Sequence, residues 1–284
     1  MRYNYVFIKE IFGLKNFLAE DTMGLLFSAL LIALAASTLG SISGIGGGVL
    51  MKPLFELFNI ASVSTTSFLS GITVLSMAGY NTAKILSAKP SSLEMKPIFP
   101  LALGAATGGV IGSKLLELIK HFLSNSEKVG AVQAACLAVL CVGTIIYTLN
   151  NRKIQTRKIS SGIVTAVIGL ILGLLSSFLS IGGGPFNLAV LSYFFSMDTK
   201  HSVQSSLIII LFSQAFHLID TLLCGNVPPF EPVMLLLMIG GGIGGAFFGS
   251  RIGKKLSNRT IDKLFIFILV LVIVVCIYNI TKFI

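Results

Sequence analysis

Apolar positions dominate this chain in eight long runs, each separated from the next by a short polar connector. Each run holds about 20 residues, the length that an α-helix needs to cross the hydrocarbon core of a bilayer. Composition agrees, since 54% of the residues are hydrophobic and only 11% are charged. The sequence therefore predicts an all-α polytopic membrane protein, with runs at 24–44, 62–83, 97–119, 129–149, 159–181, 202–222, 232–250 and 261–281.

The tetrapeptide Ile-Gly-Gly-Gly interrupts the apolar pattern twice, at 45–48 and at 181–184. Consecutive glycines disfavour a helix and leave backbone N–H and C=O groups bare at membrane depth. Such a break is tolerated only where protein buries it or where it lines a wet cavity. The apolar segments after the breaks, 49–59 and 185–196, reach only about half of the core, so we predict two half-helices.

The whole order of features occurs twice, at an offset close to 181 − 45 = 136 residues. Each half contains an apolar run, a glycine break, a half-helix and three further spans. If each first run pairs with its half-helix as a re-entrant hairpin, a half has three true crossings, and an odd number inverts the second half. The sequence thus predicts two inverted-topology repeats, 24–149 and 159–284, each with a glycine-broken re-entrant hairpin and three further transmembrane helices.

Basic residues lie in the connectors, which makes the net charge of +10 a topology signal. The connector 150–158 holds four Lys or Arg residues without an acid, and 251–263 holds five against Asp262 alone. Both are predicted to be cytoplasmic, whereas 223–231, which carries Glu231 and no base, lies on the other side. Without a basic patch or stripe, nucleic-acid binding is excluded as an interpretation.

The segment 1–23 precedes the first run and carries apolar residues at helical spacing. Phe7, Ile11, Leu14 and Leu18 recur at i, i+4, i+7 and i+11. This pattern predicts an amphipathic helix on the membrane surface, with a flexible tail as the alternative.

Two repeated motifs resemble the TauE/SafE sulfite exporter family of bacterial inner-membrane proteins. One is the break with its half-helix, 44–50 with Pro53, repeated at 181–185. The other is the polar start of the next span, 64–68 and 203–207, which is similar to the family's Gly-Thr-Ser-Leu element. The resemblance covers about 24–282 and implies export of sulfite or a small organosulfonate through the plasma membrane. Lys52 and Gln204 depart from the family's motifs, and these differences bear on the identity of the substrate more than on the fold.

The glycine breaks are the candidate binding site, because unpaired amides at the start of a half-helix attract an oxyanion. Close helix packing is the alternative role of glycines and small polar residues in membranes. Lys52 either neutralises the anion or extends to water at the interface. The candidate substrate-binding residues are Gly46, Gly47, Gly48, Lys52, Thr65, Thr66, Ser67, Gly182, Gly183, Gly184, Asn187, Gln204, Ser205 and Ser206.

Two titratable residues at membrane depth are candidates for a proton relay, His217 and Glu56. The alternative for His217 is a plain hydrogen bond to a neighbouring helix. Gly240, Gly242 and Gly245 match a dinucleotide pattern, but no strand precedes them, so nucleotide binding is not predicted.

The prediction from sequence is a secondary transporter, an exporter of a small sulfur-containing anion by alternating access. A passive anion channel is the alternative. No catalytic residues, metal ligands or cofactor are expected, and the protein is not predicted to be an enzyme. The expected partners are the small anionic substrate and the lipid bilayer, and a homodimer stays open.

Overall fold

The structure is a computed structural model that describes residues 3–58, 60–87, 95–123, 126–151, 154–179, 181 and 184–283. For 3–22, 95, 120–123, 126–128 and 281–283 it describes the backbone alone. The described residues form ten α-helices and no strand. The helices are α1 Tyr3–Ser43, α2 Gly48–Leu57, α3 Val63–Ser87, α4 Met95–Leu123, α5 Ser126–Asn150, α6 Gly162–Phe178, α7 Phe186–Phe195, α8 Thr199–Leu223, α9 Pro232–Lys255 and α10 Asn258–Phe283.

The predicted half-helices are present as α2 and α7, each ten residues long. Six of the described helices are long and apolar enough to cross a membrane, which confirms a polytopic membrane protein. These are Met23–Ser43, Lys96–Ile119, Val129–Asn150, Thr199–Leu223, Pro232–Lys255 and Asn258–Ile280. The described part of the segment 1–23 is continuous with the first crossing, because α1 begins at Tyr3. Its side chains lie outside the described residues, so its amphipathic face stays a prediction.

Most helix contacts occur twice, once between given helices and once between the corresponding helices of the opposite halves. Helix α4 packs most extensively on α6, and its counterpart α9 packs on α1. Likewise α4 contacts α8 as α9 contacts α3, and α2 contacts α10 as α7 contacts α5. Helices α5 and α10, and also α3 and α8, pair with each other across the halves. Each half therefore completes its packing only through the other.

Glycines every four residues make the two largest helix contacts possible. A Cβ on Gly104 or Gly108 would overlap the carbonyl oxygens of Ala166 or Leu170 in α6. A Cβ on Gly245 would lie 2.6 Å from the carbonyl oxygen of Leu34 in α1. Small residues let membrane helices approach closely, where dispersion and lipid entropy drive association. We call these two sets the glycine stripes, and their members are Gly104, Gly108, Gly112, Gly241, Gly245 and Gly249.

Contacts bring the described residues of the connectors 150–158 and 251–263, the end of α3 and the start of α4 to one end of the helix bundle, which we call the basic end. The amine of Lys84 donates to the hydroxyl of Ser250 at 2.6 Å. The amide of Asn258 donates to Asp198 at 2.9 Å, and Lys96 and Lys158 line one cavity. At the opposite end, the amide of Asn226 in the 223–231 connector donates to Glu117 at 2.7 Å. The grouping expected from the charges is therefore observed.

Helices α5 and α10 present large apolar side chains on the outside of the bundle. Val139 is 71% exposed, Leu149 66%, Phe267 63% and Val274 61%. Exposed apolar surface on this scale would be a liability in water. It suits a lipid-facing surface, as the composition predicts.

Candidate functional site at the paired helix breaks

The first break is a buried, glycine-shaped gap between α1 and α2. Gly44 and Gly46 have φ angles of +69° and +84°, a left-handed region that favours glycine. Helix α2 then begins at Gly48, and Gly46, Gly47 and Gly48 are all buried. Within the described part of the chain, no hydrogen bond is found from the amides of these three glycines. Buried amides without acceptors at the positive end of a helix are suited to an anion.

The second break lies between the end of α6 at Phe178 and the start of α7 at Phe186. Its predicted binding residues Gly182 and Gly183 lie outside the described residues. Gly184 is buried, and its carbonyl oxygen accepts from the amide of Asn187 at 3.1 Å. Binding of an oxyanion by backbone amides in this half thus stays a prediction at Gly182 and Gly183.

The two breaks touch each other in the middle of the protein. A Cβ on Gly48 would overlap the carbonyl oxygen of Ile181. The hydroxyl of Ser206 in α8 donates to the carbonyl oxygen of Gly44 at 2.6 Å. That hydroxyl in turn accepts from the amide of Asn187 at 3.3 Å. Two of the predicted polar residues, Asn187 and Ser206, therefore link the second half to the first break.

Lys52 projects from α2 into the other half of the protein, and it is only 5% exposed. Its amine donates to the carbonyl oxygen of Leu179 at 3.1 Å and to the side-chain oxygen of Gln133 at 2.8 Å. The amide of Gln133 donates to the carbonyl oxygen of Phe178 at 2.6 Å. These carbonyls close the C-terminal end of α6, where the last acceptors of a helix need donors and a cation is stabilising. Lys52 thus neither extends to water nor lies far from the breaks.

Glu56 lies one turn after Lys52, and both line a cavity of about 20 Å³. One carboxylate oxygen of Glu56 accepts from the amide of Asn279 in α10 at 3.2 Å. Its proposed part in a proton relay is not tested by this contact. The other candidate, His217, has its Nδ1 2.9 Å from the hydroxyl of Ser113 in α4, so the hydrogen bond considered as its alternative role exists.

A second small cavity, of about 10 Å³, lies beside Asn187. The side-chain oxygen of Asn187 and the hydroxyl of Ser213 are buried without a partner among the described residues. Ser176 also lines this cavity. A volume of this size holds about one water, so the centre is closed to a larger solute in this conformation.

The remaining polar residues predicted for the site do not lie together at the contact between the breaks. Thr65 donates to the carbonyl oxygen of Pro229 at 3.0 Å, in the connector at the opposite end. Ser67 donates to Val63 at 2.9 Å and Thr66 to Ala61 at 3.4 Å, both local bonds. Gln204 is half-buried. Ser205 is fully buried and belongs to a different cavity.

Sequence reasoning missed Gln133 and Ser213. Gln133 was detectable in principle, because it is the one strongly polar residue in the span 129–149 before its final turn. Ser213 resembles many packing serines, and only its unpaired hydroxyl distinguishes it. Among the described residues, no group of three His, Cys, Asp or Glu residues could hold a metal ion.

Comparison with known proteins gives the family. The family model described as "Sulfite exporter TauE/SafE" matches residues 29–276. The chain is 23% identical to the "Probable membrane transporter protein YjnA" of Bacillus subtilis, over 83% of this chain and 93% of that protein. It is also 23% identical to the "Probable membrane transporter protein YunE" of the same organism, over 81% and 89%. No solved structure matches the chain significantly. With its six long apolar helices, this chain is a multi-pass membrane transporter that belongs to the sulfite exporter TauE/SafE family.

Proposed function

We propose that the protein is a secondary transporter that exports a small sulfur-containing anion, such as sulfite or an organosulfonate, across the bacterial plasma membrane. The observation that carries the proposal is the contact between the two breaks, where Gly48 meets Ile181. The family's name supplies the substrate class. The chemistry of the first break is compatible with it, because buried amides donate to an oxyanion at little cost in side-chain entropy.

Charge at the breaks also favours an anion. The amine of Lys52 lies at the end of α6, next to the second break, and the N-terminus of α2 carries the positive end of its helix dipole. A full charge buried this deep in a membrane protein is by default a functional candidate. The proposed binding set is the first break together with Lys52, Asn187 and Ser206.

Alternating access requires two units that rock against each other, and helix directions support inverted repeats as those units. The start of α6 and the end of α7 line the same cavity at the basic end, so together they enter and leave from one side. The end of α5 and the start of α10 line another shared cavity, and Gln133 and Asn279, near the opposite ends of these helices, line a third. Equivalent helices α5 and α10 thus run in opposite directions, as inversion demands.

Reconstitution tests this proposal. Purified protein in liposomes should move sulfite or a sulfonate such as methanesulfonate, and a pH gradient should drive accumulation above the external concentration. Sulfate and thiosulfate serve as comparison anions. Flux that only dissipates an anion gradient would identify a passive channel, and absence of flux for every sulfur anion would overturn the assignment.

The same liposome experiment also tests whether transport is coupled to protons. If Glu56 or His217 carries protons, Glu56→Gln or His217→Gln should abolish accumulation driven by a pH gradient while exchange of anion for anion persists. Accumulation that survives both substitutions would exclude both residues as the relay.

A further inference from the structure

A cavity of about 610 Å³ lies at the basic end, away from the breaks. Its walls come from the starts of α4, α6 and α8 and from the end of α7. A cavity of this volume is within the range that binds small molecules. The two central cavities beside the breaks, at about 10 and 20 Å³, are far smaller.

Two lysines give this cavity its charge. Lys96 follows the first residue of α4, and Lys158 lies in the connector before α6, and both are exposed. Among the described lining residues the one acid is Asp198. That carboxylate accepts from the ring of His201, which also lines the cavity, and from the amide of Asn258. The two lysine charges therefore outweigh the acid within the cavity.

Backbone dipoles add to this positive field. Three helices, α4, α6 and α8, begin at the cavity, so their positive ends converge there, whereas α7 alone ends there. Ser161, the residue before α6, makes no side-chain capping bond, so the first amides of α6 are not capped in this way. The arrangement is suited to an anion and unsuited to a cation.

Ser205 joins the cavity to the proposed transport path. It lines the cavity, yet it is fully buried. Its hydroxyl points to the sulfur of Met197 at 3.4 Å, and a thioether is a weak acceptor. Its neighbour in sequence, Ser206, bonds to the carbonyl oxygen of Gly44 in the first break. Two adjacent residues of α8 thus contact the cavity and the first break.

We propose that this cavity is an anion-binding vestibule, in which Lys96 and Lys158 recruit the sulfur oxyanion from the basic end before it passes Ser205 to the breaks. The inference rests on the proposed function for the identity of the anion, but not for the existence of the site. Phospholipid headgroups share the oxyanion chemistry. The vestibule is assigned to the soluble anion because it leads inward to Ser205, where a headgroup with its acyl chains cannot follow.

The test is the double variant Lys96→Gln/Lys158→Gln in liposomes of phosphatidylcholine alone. The half-saturating sulfite concentration should rise about tenfold, from the loss of two nearby charges in a wet site, with the maximal rate nearly unchanged. The control Lys255→Gln/Lys263→Gln removes the same charge from exposed residues at the same end that do not line the cavity. It should leave both quantities as in the wild type.

Equilibrium binding of sulfite to the purified protein, measured by calorimetry, separates the two proposals. If the wild type transports sulfite but both double variants behave alike, the vestibule is wrong and the transport proposal stands. If the wild type binds sulfite without transporting it, and only Lys96→Gln/Lys158→Gln weakens binding, the vestibule stands and the transport proposal fails. A shift that appears only after anionic phospholipid is added would identify a headgroup as the ligand and overturn the assignment to a soluble anion.

Discussion

Helices α2 and α7 have the same length and equivalent neighbours, but their chemistry differs. Helix α2 carries Lys52 and Glu56, whereas α7 carries the neutral Asn187 at its second position. The lysine reaches across to cap α6, while the asparagine makes a single weaker bond to Ser206. The helix contacts are therefore similar in the two halves, whereas the polar groups at the centre differ. Similar packing thus accompanies the fold of both halves, and under the proposed function we expect the unequal residues to select the ligand.

The strongest test of what the halves share is to block both glycine stripes. Gly108→Val and Gly245→Val should each lower stability by about 3 kcal/mol or more, because the new side chain overlaps the backbone of the neighbouring helix. Gly240→Val is the matched control, since nothing lies within 4 Å of its Cβ position. Thermal unfolding in detergent is the measurement. If the Gly108→Val protein were as stable as the Gly240→Val protein, close packing at Gly108 would not be needed for stability.

The contact between the breaks can be tested by one methyl group. Gly48→Ala should reduce transport to background while the protein still inserts, because the methyl group would overlap the carbonyl oxygen of Ile181. Gly47→Ala is milder, since the atom nearest to its Cβ is the flexible end of Met51. Initial rates of sulfite flux provide the comparison. Equal activity in the two variants would show that the breaks need not touch.

A helix at each apolar run, the two half-helices and the packing role of the glycines were predictable from sequence, because each follows from a local rule of length, composition or spacing. Which runs cross the membrane was predicted less well, since 24–44 is a candidate span and 62–83 is not. The partners of Lys52 were not predictable. Its contact with Leu179 joins residues 127 positions apart, and no local pattern encodes which helix end a buried amine will cap. The cavity at Lys96 and Lys158 was missed for the same reason, since three separate helix starts converge there.

The difference between the half-helices predicts unequal costs for removing their polar groups. Lys52→Met should cost about 1–3 kcal/mol, because Leu179 and Gln133 lose a buried donor. Asn187→Leu should cost about 0.5–1.5 kcal/mol for its one bond of 3.3 Å. Denaturation of both variants in the same detergent gives the comparison. A larger loss of stability in Asn187→Leu than in Lys52→Met would contradict the assignment of the stronger polar contacts to α2.

The smallest expected effects concern the helix caps after the half-helices. Ser62 accepts from the amide of Thr65 at the start of α3, and Asp198 accepts from the amide of His201 at the start of α8. Substitution of either cap by alanine should cost about 1 kcal/mol.

Only the second cap titrates. Burial acts to raise the pKa of Asp198, but hydrogen bonds from His201 and Asn258 outweigh it, and the pKa lies below its usual value. Its stabilisation is therefore complete above the unfolded pKa of about 3.9 and is lost as the pH falls through the lower folded value. Melting temperatures between pH 3 and 7 should show the Asp198→Ala cost shrinking in acid and the Ser62→Ala cost constant. A constant Asp198→Ala cost would contradict the lowered pKa.

The central claim is that the two breaks form one anion site between the halves. Calorimetric titration of sulfite into purified Lys96→Gln/Lys158→Gln protein, in which the vestibule is weakened, measures the number of sites most directly. The account predicts one sulfite per chain, with binding lost in either Gly48→Ala or Asn187→Leu on that background. Two sites per chain, each abolished by only one of these substitutions, would show that the breaks bind separately and would contradict the account.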